Sequence, residues 1–66
     1  MSRAEALKEA RRRWGVRGRV WEAGHVYQVG LGTGHKMTFV YGEGYSFAAA
    51  FGNADERERA KERESR

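Results

Sequence analysis

The chain has 66 residues, with 13 Lys plus Arg, 9 Asp plus Glu, no Cys and no Pro, and its net charge is +4. This length allows one small domain, and the lack of Cys excludes both disulfides and thiolate metal sites. No apolar run approaches the ~20 residues of a membrane span, and the N-terminus lacks a signal-peptide core. We therefore expect no membrane partner and a cytoplasmic location.

The first segment predicts a helix over residues 3–14. Ser2 and Glu5 form the Ser-x-x-Glu pattern of a capping box. Apolar residues then repeat at helical spacing on one stripe: Leu7, Ala10, Trp14. Gly15 follows where a left-handed cap is expected.

Three β-rich runs separated by glycine turns follow the helix. The runs cover residues 16–22, 25–31 and 36–41, and glycines mark the turns at 23–24, 32–34 and 42–44. Short loops leave little room for another topology. The pattern predicts a three-stranded antiparallel β-meander.

The last third of the chain predicts a second helix, capped by Ser46. Its apolar residues repeat at helical spacing: Phe47, Ala50, Phe51, Ala54. Gly52 weakens this helix by about 1 kcal/mol relative to Ala, and we expect it to allow a close approach of the helix backbone to the sheet. Residues 55–66 are almost all charged, and they either continue the helix or fray.

The predicted fold class is α+β, in the order α-β-β-β-α, with both helices on one face of the sheet. Residues 1–54 form the single globular domain, and residues 55–66 form a charged tail. The tail holds five acids and five bases, so the whole net charge of +4 belongs to residues 1–54.

Alternation along the strands assigns their side chains to two faces. The apolar set is expected to face the helices: Val16, Val20, Tyr27, Val29, Leu31, Met37, Phe39, Tyr41. The opposite set is mixed: Arg17, Arg19, Trp21, Val26, Gln28, Lys36, Thr38, Val40. A slip of one residue would exchange the two sets. The mixed face is either a solvated surface covered by the tail or by a second copy, or a recognition surface for phosphates, bases or a protein.

Five arginines and no acid occur between residues 11 and 19: Arg11, Arg12, Arg13, Arg17, Arg19. The planar fork of Arg suits phosphate and interface ion pairs. Together with Trp21 and Lys36, these arginines are the predicted partner-binding or nucleic-acid-binding residues. The alternative is that Arg12 and Arg13 only solvate the helix end and complement its dipole.

Other chemistry is not supported by the motifs. Residues 30–36 contain glycines and a Lys, but Met37 follows the Lys and the segment joins two strands, so it predicts a hairpin tip and not a phosphate loop. The two histidines, His25 and His35, are expected at opposite ends of a hairpin, which argues against a metal site. Ser46 fits a helix cap better than a nucleophile, so we expect neither catalysis nor a cofactor.

The element order resembles that of double-stranded RNA-binding domains. Residues 42–46, Gly-Glu-Gly-Tyr-Ser, are similar to the start of the last helix in that family. The positions of the family's Lys cluster are occupied here by other residues: Phe47, Ala48, Ala49, Ala50. This resemblance therefore implies the fold without that RNA-binding site.

The sheet resembles that of AP2-type and integrase N-terminal DNA readers through Arg17, Arg19 and Trp21. That resemblance implies DNA contact through the open face of the sheet.

Residues 41–55, a Gly-rich turn followed by an Ala/aromatic helix, resemble the ending of small uncharacterised bacteriophage proteins. The resemblance to phage proteins implies an accessory protein of the anti-CRISPR type, acting in the cytoplasm of a bacterial host.

Three functions remain open from the sequence. The first is a non-enzymatic phage-type accessory protein that binds and blocks a host nucleic-acid-handling complex. The second is a direct DNA- or RNA-binding module that uses the arginines and the open sheet face. The third is a homo-oligomeric structural module, such as a homodimer.

Overall fold

The computed structural model describes residues 1–34 and 36–64. The elements are helix α1 (Arg3–Trp14), a 3-10 turn (Gly15–Arg17), strands β1 (Gly18–Ala23), β2 (Val26–Thr33) and β3 (Lys36–Gly44), and helix α2 (Phe47–Glu64). The strands form one antiparallel sheet in the order β1-β2-β3. The predicted α-β-β-β-α order and α+β class are confirmed.

Both helices begin at the residues that the sequence predicts. The Ser2 hydroxyl accepts the Glu5 N–H at 3.2 Å and the Glu5 carboxylate accepts the Ser2 N–H at 3.0 Å, which is the predicted capping box. These hydrogen bonds with Ser2 hold the pKa of Glu5 below its usual value. Helix α1 ends at Gly15, whose φ is +79°, and α2 starts after Ser46, whose hydroxyl accepts the Ala49 N–H at 3.0 Å.

Helix α2 continues without a break to Glu64, ten residues beyond its last buried side chain, Ala54. The predicted charged tail is therefore helical as far as the structure describes it, and residues 65–66 lie outside the described part. Within residues 1–34 and 36–64, neither helix combines the length and apolar composition needed to cross a membrane.

The core lies between the helices and one face of the sheet. Its buried residues are Ala6, Ala10, Val20, Val29, Phe47, Ala50, Phe51 and Ala54, with Leu7, Trp14 and Tyr27 packed against them. The buried residues of α1 are both Ala, and those of α2 are two Ala and two Phe. Aromatic pairs supply the larger contacts: Tyr27 meets Phe47 edge to face at 4.7 Å, and Trp14 stacks on Phe51 at 6.0 Å.

Glycines on the strands allow the helices to lie close to the sheet. A Cβ on Gly18 would overlap the backbone of Ala10 in α1, and a Cβ on Gly42 would overlap the backbone of Ala50 in α2. The prediction for Gly52 is wrong, because it is exposed and a Cβ there would meet no atom within 4 Å. The close approach is made by the sheet glycines.

Two β-bulges in β3 change the predicted faces of the sheet. Val29 pairs with Gly42 and Gly30 with Val40, which leaves Tyr41 as an additional residue. A second register shift, between Leu31 and Gly32, leaves Thr38 as a second additional residue. Met37 then pairs with Gly32. Each additional residue interrupts the alternation of side chains. Met37 therefore lies on the face away from the helices, and its predicted place in the core is wrong.

The segment before β1 also differs from the prediction. Val16 and Arg17 lie in the 3-10 turn and not in a strand, and Val16 is 85% exposed. Val16 is therefore not part of the core. Phe39 also lies largely outside the core, since it is 59% exposed on the edge strand. Val20, Tyr27 and Val29 occupy the predicted face.

Candidate functional site

The face of the sheet opposite the helices is not covered by either of them. Cross-strand pairing places the following residues on this open face: Arg19, Trp21, Ala23, Val26, Gln28, Gly30, Gly32, Met37, Val40, Glu43. Trp21, Val26 and Val40 are all exposed large hydrophobic residues. This group of exposed apolar side chains makes the open face the candidate site.

Trp21 lies on the open face in β1, an edge strand of the sheet, and pairs with Gln28 of the central strand. A shallow cavity of about 230 Å³ is lined by Trp21, Gln28, Lys36 and Met37. A smaller cavity of about 70 Å³ also borders Trp21, and Arg19 and Gly34 are among its lining residues. Trp21 is 41% exposed. Its indole ring can therefore contact an apolar or planar group of a partner.

Arg12 and Arg13 are held by an acid of their own helix. Arg12 Nε donates to Glu9 Oε1 at 2.9 Å, and Arg13 Nε donates to Glu9 Oε2 at 2.6 Å. These hydrogen bonds, first with Arg12 and then with Arg13, lower the pKa of Glu9 to about 2. One carboxylate is therefore shared by two arginines, of which Arg12 keeps a side chain that is 70% exposed.

Arg13 also connects the two helices. Its Nη1 donates to Asp55 Oδ1 at 2.7 Å, and its guanidinium carbon lies 4.8 Å from the centre of the Phe51 ring. Only 24% of its side chain is exposed. Arg13 thus joins α1 to α2 over the aromatic core, and it is a structural residue.

Arg19 is bound to backbone carbonyls. Its Nη1 donates to the carbonyl oxygens of Val16 and Gly18, both at 2.9 Å, and its Nε donates to the Gly34 carbonyl at 3.3 Å. The side chain therefore links the 3-10 turn to the end of β2. Three of the N–H donors of the Arg19 guanidinium are therefore used within the protein.

The predicted cluster of binding residues thus separates into two groups. Arg12, Arg13 and Arg19 have internal partners, whereas the exposed side chains of Arg11 and Arg17 make no hydrogen bond or ion pair within the described residues. Of the seven predicted residues, Arg19, Trp21 and Lys36 line the smaller cavity together, and Trp21 and Lys36 also line the larger one.

Met37 is the residue of this surface that sequence alternation missed. Glycine inside a strand is a known sign of a bulge. Gly30 and Gly32 on β2 lie beside the two register shifts, so they are the signal in the sequence that indicates the changed alternation.

We expect Arg13→Gln to lower the free energy of unfolding by about 1–2 kcal/mol, because it removes the Asp55 pair and the contact with Phe51. Arg12→Gln is the matched control, since Arg12 shares Glu9 but its side chain is 70% exposed. We expect little change for this control. Urea denaturation followed by circular dichroism measures both, and equal losses would contradict the role of Arg13 as a link between the helices.

No group of three His, Cys, Asp or Glu side chains that could hold a metal occurs in residues 1–34 and 36–64. His35, which the sequence places at a hairpin tip, lies outside the described residues. The predicted tip, residues 30–36, is too long, because residues 30–33 belong to β2 and β3 begins at Lys36.

Comparison of this chain with protein-family models, with curated proteins and with solved structures finds no match.

Proposed function

We propose that the protein is a non-enzymatic binding protein that docks through its open face onto a host nucleic-acid-handling complex and blocks the nucleic-acid or partner site of that complex. It would act as a phage-type accessory protein, of the anti-CRISPR or a similar anti-defence kind. The observation that carries the proposal is Trp21, which is 41% exposed on a sheet face that neither helix covers.

The chemistry of the open face suits a protein partner. Interface hot spots are enriched in Trp, and they lie near the centre of the contact surface with other apolar groups around them. Here Val26, Met37 and Val40 lie on the same face as Trp21. Lys36 adds a positive charge beside this apolar centre. An apolar anchor with cations at its margin favours a partner surface that carries carboxylates.

Direct binding of nucleic acid is the weaker alternative. Sequence-independent affinity for nucleic acid comes mainly from Lys and Arg side chains that neutralise phosphates. In this protein Arg12, Arg13 and Arg19 already donate to carboxylates or carbonyls of the chain itself. These bonds use part of the five N–H donors of each guanidinium, so fewer donors remain for phosphates. The open face therefore has an aromatic anchor but few cations that are available for phosphates.

We expect Trp21→Ala to weaken capture of the target complex by about thirtyfold or more, because truncating an interface hot spot costs ~2 kcal/mol or more. The measurement is affinity capture from a nuclease-treated bacterial lysate, identification of the captured complex by mass spectrometry, and titration of the purified complex. Tyr45→Ala is the matched control. Tyr45 is 82% exposed but lies in the turn between β3 and α2, so its loss should leave capture unchanged.

Three outcomes decide between the functions. Undiminished capture by a folded Trp21→Ala variant would show that the docking surface lies elsewhere. Capture that disappears on nuclease treatment and returns on addition of DNA or RNA would support direct nucleic-acid binding. A captured complex that handles no nucleic acid would contradict the proposed target.

A further inference from the structure

The smaller of the two cavities beside Trp21, about 70 Å³ in volume, collects positive charge. Three cations from three different elements line it: Arg3 of α1, Arg19 of β1, Lys36 of β3. No Asp or Glu of residues 1–34 and 36–64 lines it, so the charge of the lining is +3. We call this cavity the cation pocket.

The positive charge of the cation pocket is not balanced within the described part of the chain. The side chains of Arg3 and Lys36 are exposed and make no hydrogen bond or ion pair in that part. Arg19 donates to backbone carbonyls, which orient its guanidinium but carry no net charge. Because three like charges around one space repel each other, an anion that enters the space is attracted by all three.

The acids of residues 1–54 are engaged elsewhere. There are four of them: Glu5, Glu9, Glu22, Glu43. Their partners are, in the same order, the Ser2 amide, two arginines of α1, the Tyr27 hydroxyl and Arg57. These acids leave the cation pocket without a counter-charge, so a partner is the source of one.

The volume of the cation pocket suits one charged group of a larger partner. Pockets that enclose a whole small-molecule ligand begin at ~300 Å³, which is several times the volume of the cation pocket. A single anionic group needs less space than a whole ligand. The occupant is therefore one group of a macromolecule.

The larger cavity, of about 230 Å³, adds a site for an apolar group beside the cation pocket. Three side chains border both cavities: Trp21, Lys36, Met37. The indole and the thioether offer apolar surface, and the flexible Met side chain adapts to the group that it contacts. The two cavities together accept an anion with an apolar group next to it.

We propose that the partner is an acidic protein segment, which inserts an Asp or Glu carboxylate into the cation pocket and packs its neighbouring apolar side chain against Trp21 and Met37. The carboxylate accepts charge-assisted hydrogen bonds from Arg3 and Lys36, whose donors have no other acceptor in the described residues. This inference rests on the proposed function, because it names the partner chemistry of the same open face.

The rest of the open face favours a protein segment over a nucleic acid. Proteins that follow a single strand stack successive bases on several aromatic side chains along a positive groove. Trp21 is the one aromatic residue that the described strand pairing places on this face, and Glu43 lies on it as well. A chain of phosphates that crosses the face would meet Glu43, whereas a protein segment carries its carboxylate only at the cation pocket.

Fluorescence anisotropy with labelled peptides tests this inference on the purified whole chain. The probe is a fluorescein-labelled peptide of repeated Glu-Leu-Ser units, and its control replaces every Glu with Gln. We expect the Glu peptide to bind with a dissociation constant between about 10 µM and 1 mM, and about tenfold more tightly than the Gln peptide. A labelled single-stranded DNA of thymidines with the same length is the nucleic-acid probe.

Lys36→Gln should raise the dissociation constant of the Glu peptide about tenfold, because it removes a charge-assisted hydrogen bond in the cation pocket. Lys8→Gln is the matched control, since it makes the same charge change on an exposed residue that lines neither cavity. Both positions are exposed, and circular dichroism verifies that the variants stay folded.

Three results with the peptides would overturn the inference. They are no binding of the Glu peptide at about 1 mM protein, equal affinity for the Glu and Gln peptides, and equal effects of Lys36→Gln and Lys8→Gln. Tighter binding of the DNA probe that depends on Lys36 would overturn it in favour of a nucleic acid.

The proposed function and this inference fail separately. Undiminished capture by Trp21→Ala contradicts docking through the open face, whatever the peptides do. Capture that depends on Trp21, together with a failed peptide test, removes only the acidic segment as the occupant.

Discussion

Replacing Gly42 with Val is expected to unfold the domain. A Cβ at this position would overlap the Ala50 carbonyl and lie 2.6 Å from the Ala54 amide nitrogen. Both atoms belong to the backbone of α2, so the helix would have to move away from the sheet and uncover Phe47 and Phe51. Overpacking of this kind costs about 3 kcal/mol or more, and a domain of this size has only ~3–5 kcal/mol of stability in total.

Gly52→Ala is the matched control for the Gly42 substitution. Gly52 lies in α2, the helix against which Gly42 packs, but it is exposed and has open space where a Cβ would be. Because Ala is the better helix former, we expect stability to increase by up to ~1 kcal/mol. Thermal denaturation followed at 222 nm by circular dichroism compares the two variants. A folded Gly42→Val variant with an unchanged melting temperature would show that α2 does not lie against β3 as described.

The helices are the part of the fold that local sequence predicts best. The Ser2 and Glu5 capping box needs only neighbouring residues, and Gly15 ends the same helix for a local reason. The start of α2 at Ser46 is equally local. How far α2 extends was left open by the sequence, because the charged residues after Ala54 have no apolar periodicity that would mark an end.

The sequence predicts the topology of the sheet, but it assigns some side chains of the sheet to the wrong face. Alternation works along β1 and β2, where the register is regular, and it places Val20 and Val29 in the core. It fails along β3 because the bulges depend on how that strand pairs with β2, which no short pattern records. Met37 therefore changes sides, and Tyr41 contacts Trp14 at 5.2 Å as a bulged residue.

The sequence predicts the aromatic residue of the candidate site, Trp21, better than it predicts the role of the arginines. Trp21 and Lys36 line one cavity, although the register pairs Lys36 with Thr33 and gives the open face to Met37 instead. Counting arginines does not reveal which of them have partners in the folded chain. Glu9 is local to Arg12 and Arg13, but Asp55 lies 42 residues from Arg13 in the sequence. Only the packing of both helices on the same face of the sheet brings these two side chains together.

The same packing determines which core residue matters most. Half of the buried side chains are Ala, and burying a methyl group contributes little to the hydrophobic free energy. Stability therefore depends on a few large side chains. Phe51 has the most connections among them, since it is 4% exposed, stacks on Trp14 and carries the Arg13 guanidinium on its ring.

We expect Phe51→Ala to destabilise the protein by about 3–5 kcal/mol, which is the usual cost of this substitution in a core. Because the total stability of such a domain is ~3–5 kcal/mol, much of the protein should be unfolded at 25 °C. The substitution leaves a cavity beside Trp14, and the small Ala side chains that make up half of the core cannot fill it. It also leaves Trp14 and Arg13 without their packing surface. Urea denaturation followed by tryptophan fluorescence and circular dichroism gives the loss directly.

Phe39→Ala provides the comparison that separates this core effect from a general effect of losing a phenyl ring. Phe39 is 59% exposed on the edge strand, so the same substitution should change the stability of the monomer little when it is measured at low micromolar concentration. Equal losses for the two variants would mean that the aromatic junction around Phe51 does not hold the helices together. Unequal losses of the expected size would show that a core built mainly from Ala and Gly depends on one phenyl ring and the arginine above it.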